Sequence, residues 1–211
     1  MQLEDISIHM KTRLELAGPE AAVEGTDLRE QFWGAIGSLW HSGGSKSDWR
    51  LASGPAFPLC EPFLLPTPEV VASLPCPCAV TCDCRHEVRE TNRGLVAACG
   101  CRLPDFCHYP LVPLQPEDIQ VLRVNDGKLL AGLREALALG EPVSGRGDFN
   151  GGLYELGRLT EADTSVCVWL ATEGGLSRLT TSLHKARARR PGPAVVLSTF
   201  RELPSEWLLQ V

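Results

Sequence analysis

Apolar residues recur along this chain with two periods, and their changes divide it into segments. Over residues 6–16, Ile6, Ile8, Met10, Leu14 and Leu16 occupy even positions and Ser7, His9, Lys11, Arg13 and Glu15 odd ones, the period of a half-buried strand. A helix through Leu3, Ile6, Met10 and Leu14 uses most of the same residues and is the rival reading. From Asp27 to Trp40 the period changes to 3.6. Leu28, Phe32, Trp33, Ile36, Leu39 and Trp40 form one stripe, with Thr26 placed to cap its start and Gly43 and Gly44 beyond its end. The two tryptophans on that stripe are expected in a core.

Periodicity then lapses. Six prolines between residues 53 and 75 fix φ and remove backbone donors, which predicts a connector without regular structure running over a domain surface. Cys60 within it reads as a small buried hydrophobe. Alternation resumes at Arg85–Glu90, passes through the turn sequence Thr91-Asn92-Arg93-Gly94 and returns through Leu95–Ala98, a β-hairpin. Pro110, Pro113 and Pro116 mark a second connector.

Beyond it the pattern predicts a strand at Ile119–Val124, then a helix capped by Asn125 or Asp126, carrying Leu129, Leu130, Leu133, Leu137 and Leu139 and ended by Gly140. Strands at Leu153–Leu159 and Ser165–Ala171 follow, joined by a turn at Thr160–Thr164. Leu176, Leu179, Leu183 and Ala186 mark a last helix before Pro191, and Ala194–Ser198 reads as a buried strand. The order β-α-β-β-α-β predicts an α+β sandwich, ferredoxin-like in connectivity. Four regions result: an N-terminal strand and helix at 1–52, the proline-rich connector at 53–75, a cysteine-rich module at 76–109 and a small α/β domain at 110–211.

Composition narrows the class. The 211 residues are 44% hydrophobic, ordinary for a globular protein, and the start lacks the basic and apolar regions of a signal peptide. The expectation is a cytoplasmic protein without a membrane span. A net charge of -6 argues against non-specific coating of nucleic acid, which needs a surplus of Lys and Arg.

Seven of the nine cysteines fall in the module, as Cys76-x-Cys78, Cys82-x-Cys84, Cys99-x-Cys101 and Cys107, with His86 and His108 at its edges. In a reducing compartment such clustering signals metal before disulfides. If the turn centres between Asn92 and Arg93, Cys84 falls opposite Cys101, with Cys78 and Cys107 in the flanking turns. Over residues 74–110 the chain resembles the zinc ribbons, with close pairs spaced C-x-C where those have C-x-x-C. That resemblance implies structural zinc, with Cys76, Cys78, Cys82, Cys84, Cys99, Cys101 and Cys107 as the candidate ligands.

Two arrangements fit. One zinc takes a cysteine from each close pair plus Cys107; two ions take all seven with His86 or His108 as an eighth ligand. An iron–sulfur cluster and redox-sensing thiols are further readings. The ribbon and the Asp118-to-Leu139 stretch also resemble bacterial proteins in which a cysteine-rich ribbon precedes a small α/β domain, some associated with transcriptional regulators.

Catalytic sets are missing. No H-E-x-x-H is present, and His86-Glu87 lacks the P-C-x-x-C that a zinc deaminase requires. Asp148, Glu155 and Asp163 are the acids a metal-dependent nuclease or hydrolase would gather, but acids on loops and strand ends are normally solvated. Arg146-Gly147-Asp148 reads as a chance match to an adhesion tripeptide. Gly145, Gly147, Gly151 and Gly152 precede a strand, where a phosphate loop would precede a helix.

The expectation is a non-catalytic zinc-binding protein that is regulatory or accessory and partnered by another protein. A nucleic-acid-binding factor is the alternative, using Arg85, Arg89, Arg93 and Arg102 with Lys185, Arg187, Arg189 and Arg190.

Overall fold

In the computed structural model the described residues are 27–77, 84–100, 111–142, 152–161, 164–172, 192 and 194–199. The expected strand at 6–16, the cap at Thr26 and the helix before Pro191 lie outside them. The chain divides into two compact units, Leu28–Asp126 and the remainder, whose described residues are Asp27 and those from Gly127 onward.

The first unit opens with helix α1 (Leu28–Leu39), whose stripe buries Ala35 and Ile36 and leads into buried Trp40. The tryptophan expectation holds for Trp40, while Trp33 is half-buried with its ring edge-on to Phe32. Gly43 has a φ of +65°, and a Cβ there would lie 2.8 Å from the Leu122 carbonyl oxygen, so the chain can pass this close only as glycine. Helix α2 (Lys46–Ser53) follows. Its start is a capping box: the Ser45 hydroxyl accepts from the Asp48 amide, and the Asp48 carboxylate accepts from the Ser45 amide. Trp49 is fully buried and donates its indole N–H to Leu122 O at 3.0 Å.

The proline-rich stretch is not the irregular connector its composition predicts. Gly54–Ala56 and Glu61–Phe63 form 3-10 turns on either side of a four-residue helix, α3 (Phe57–Cys60), each with a proline at its first or second position. There the missing N–H costs nothing, because helix starts leave those donors without intrahelical partners. Strand β1 (Leu64–Val70) contains Pro66 and Pro68 and, among the described residues, pairs antiparallel with β6 (Gln120–Val124) alone, an edge position that tolerates proline.

Between β1 and β6 lies a four-stranded antiparallel sheet, β2 (Ser73–Pro75), β3 (Arg85–Thr91), β4 (Gly94–Cys99) and β5 (Leu111–Pro113), in chain order. The hairpin turn falls at Asn92-Arg93, where the sequence centres it, pairing Thr91 with Gly94 and His86 with Cys99. One face of the sheet carries Leu74, Val88, Leu95, Ala97 and Val112, packed with Ile119 into a core.

The second unit begins with helix α4 (Asp126–Ala136), which buries Leu129 and Leu130. It ends before the Gly140 stop that the leucine pattern suggests, because Ala138 takes a φ of 51° and closes the last turn. Strands β7 (Leu153–Glu161) and β8 (Thr164–Ala171) form the expected hairpin, and β9 (Ala194–Ser198) joins β8 in parallel. A bulge separates Glu155 from Gly157, whose absent side chain lets the Gly140 carbonyl approach. The molecule is thus α+β. Its strands do not assemble as predicted: β6 pairs with β1 and, among the described residues, not with the β7–β8–β9 sheet.

Candidate metal centre

The face of the sheet that carries its apolar core changes chemistry at the open end of the hairpin. Residues directly opposed in an antiparallel ladder share a face, as do alternate residues of one strand. His86 is opposed by Leu74 on β2 and by Cys99 on β4. The Cys76 amide donates to the Cys84 carbonyl at 3.0 Å, which extends the β2–β3 ladder by one pair. Cys76, Cys84, His86 and Cys99 are therefore brought to one side at one end.

The side chains converge. One ligand atom from each of Cys76, Cys84 and His86 lies within 4.8 Å of the other two, and Cys99 Sγ stands 4.0 Å from Cys84 Sγ. Tetrahedral zinc, with bonds of about 2.3 Å to sulfur and 2.0 Å to nitrogen, sets ligand atoms about 3.5–3.8 Å apart. Cys76, Cys84 and His86 are thus near binding separation, and Cys99 approaches the group at Cys84.

Burial suits a structural site, since His86 is fully buried and Cys76 is 2% exposed, with Cys84 and Cys99 half-buried. Burial also pushes the His86 imidazole below its ordinary value, favouring the neutral ring that coordinates metal. Two thiols, an imidazole and a third thiol are a donor set for zinc or another thiophilic divalent ion.

Helix α2 braces this end. Arg85, between Cys84 and His86, points to the opposite face and donates from Nη1 to Asp48 Oδ1 at 2.9 Å, from Nε to Ser73 Oγ at 2.9 Å and from Nη2 to Ser73 O at 2.9 Å. The Asp48 carboxylate that completes the α2 cap thus also ties β3 to α2, while Ser73 ties the same arginine to β2.

Of the predicted ligands, Cys76, Cys84 and Cys99 each come from a different close pair. Cys78, Cys82, Cys101, Cys107 and His108 lie outside the described residues. His86, expected at the edge as an optional eighth ligand, stands inside the cluster. Its signal was present in the sequence: it shares strand parity with Cys84 and falls opposite Cys99 once the turn is centred. Alternate residues, an awkward pair in a knuckle turn, converge here because a strand presents them on one face.

The other candidate residues fare differently. Arg85 is engaged as described and Arg89 pairs with Glu87 at 2.7 Å, while Arg93 is exposed at the turn. Arg102, Lys185, Arg187, Arg189 and Arg190 lie outside the described residues, as do Asp148, Asp163 and the tripeptide at 146–148. Glu155, expected to be solvated, is fully buried on β7 opposite Trp169. Cys60 is a buried thiol, as its setting predicts. No helix among the described residues is long and apolar enough to cross a membrane.

Comparison of the chain with protein-family models, with curated proteins and with solved structures finds no match.

Proposed function

We propose that this chain is a zinc-binding protein whose metal is structural, and that it serves as a regulatory or accessory factor bound to another protein, with no chemistry at the metal. The observation that carries the reading is the convergence of Cys76, Cys84 and His86 within 4.8 Å at the buried end of a short β-sheet. Cys99 supplies the fourth donor, giving the order C-x7-C-x-H-x12-C. A set of three thiolates and one imidazole fills a tetrahedral ion and leaves no position for water, which separates structural from catalytic zinc. The sheet gains most from such an ion: its strands β2 and β5 are three residues long, and its apolar face is small. Metal binding then contributes directly to folding.

Metal analysis of the protein purified under reducing conditions tests this reading. Stoichiometric zinc that is lost in Cys76→Ser supports it. Absence of zinc, or an iron–sulfur chromophore in its place, overturns it.

A further inference from the structure

The four donors are not equivalent. Cys76 and His86 are sealed in the sheet, at 2% and 0% exposure, whereas Cys84 and Cys99 are half-buried and stand 4.0 Å apart, sulfur to sulfur. Cys84 also precedes β3: the β3–β4 ladder begins at His86 opposite Cys99, and the Cys84 carbonyl accepts from the Cys76 amide on the other side. A disulfide needs sulfurs about 2.05 Å apart, so closing the pair requires about 2 Å of approach. Cys84 lies beyond the described β3–β4 pairs, which begin at His86 opposite Cys99, so its approach to Cys99 breaks none of them. The same movement draws Cys84 from Cys76 and turns two thiolate donors into a disulfide that no longer serves as a ligand.

We propose that Cys84 and Cys99 form a redox pair whose oxidation by peroxide releases the metal; this rests on the zinc reading above. One sulfur attacks hydrogen peroxide, the O–O bond breaks, and a sulfenic acid forms with loss of one water. The second sulfur attacks the sulfenic sulfur, the S–S bond forms, and the other oxygen leaves as the second water. The sulfurs lose two electrons and the peroxide gains them. The protons come from the two thiols or, where thiolates held the metal, from solvent. The buried Cys76 and His86 stay in place, so reduction restores the donor set.

The experiment uses the full chain, reduced and loaded with zinc, its zinc content measured first. Hydrogen peroxide is then added in equimolar amount, with released zinc followed by a chromogenic chelator and disulfides located by fragmentation of unreduced peptides. The zinc content tests the structural-metal reading, and the response to peroxide tests the switch. The switch predicts release of the bound zinc together with a Cys84–Cys99 link, and recovery of binding after dithiothreitol. In Cys99→Ser that link is lost, and peroxide-driven release from whatever zinc the variant holds slows at least tenfold. Zinc retained through peroxide treatment overturns the proposal, as does a dominant link through Cys76 or any other cysteine.

Discussion

Cys60 and Cys84 lie in one unit in different surroundings, Cys60 fully buried and Cys84 half-buried. Cys60 is fully buried at the end of α3, and burial pushes its thiol up to about 11, the Ser53 hydrogen bond acting in the opposite sense. A raised value means the neutral thiol is favoured by folding. That contribution is complete below the ordinary value of 9.0 and is lost as the pH climbs to about 11. Because the thiolate is the nucleophile, Cys60 in folded, zinc-loaded protein should resist iodoacetamide at pH 8 and react once the chain is unfolded. Stoichiometric labelling of Cys60 in the folded protein at pH 8 would contradict this. The sequence distinguished Cys60 from the clustered cysteines by its apolar setting. It ranked His86 too low, because the position of a strand residue within a site depends on the register of both neighbours, and β2 is set by only three residues.

At the scale of elements, α2 links the helical part of the first unit to the end of the sheet that carries Cys84 and His86. Ser45 holds the Asp48 carboxylate, and Asp48 receives Arg85 from β3 in a half-exposed ion pair. Exposed pairs of this kind contribute little in isolation, but the cap is worth more. Ser45→Ala should lower stability by about 1 kcal/mol, read as a shift in the urea midpoint at unchanged slope. A change below a few tenths of a kcal/mol would show that the box does not carry the helix start. Helix α1, the hairpin turn and β7–β8 are legible in the sequence, each fixed by local periodicity or turn residues, whereas α2 was not predicted although Ser45-x-x-Asp48 marks its start. The helical turns of 54–63 were not, since proline density reads as irregularity unless each proline is placed at a helix start. Nor was the pairing of β6 with β1, a long-range contact that no local pattern encodes.

At the scale of the whole molecule the account confines the metal's effect to one of two units. The candidate donors lie in Leu28–Asp126, at one end of the sheet formed by the strands that follow β1 and precede β6 in the sequence. Removing zinc with a strong chelator should raise amide exchange across Ser73–Pro75 and Arg85–Cys99 and leave Leu153–Glu161 and Thr164–Ala171 unchanged. Equal loss of protection in both units would show the metal to be a global determinant of folding. The α+β class was legible from the mixture of periods, but the division at Asp126 was not: it follows β6 back to β1, whereas composition suggested a break at the second group of prolines.

The central claim is the identity of the donors, and zinc K-edge absorption on the reduced, full-length protein tests it most directly. The account predicts a four-coordinate ion with sulfur at about 2.3 Å and one imidazole nitrogen at about 2.0 Å, the nitrogen lost in His86→Ala. A first shell of sulfur alone, or one dominated by oxygen, would contradict it.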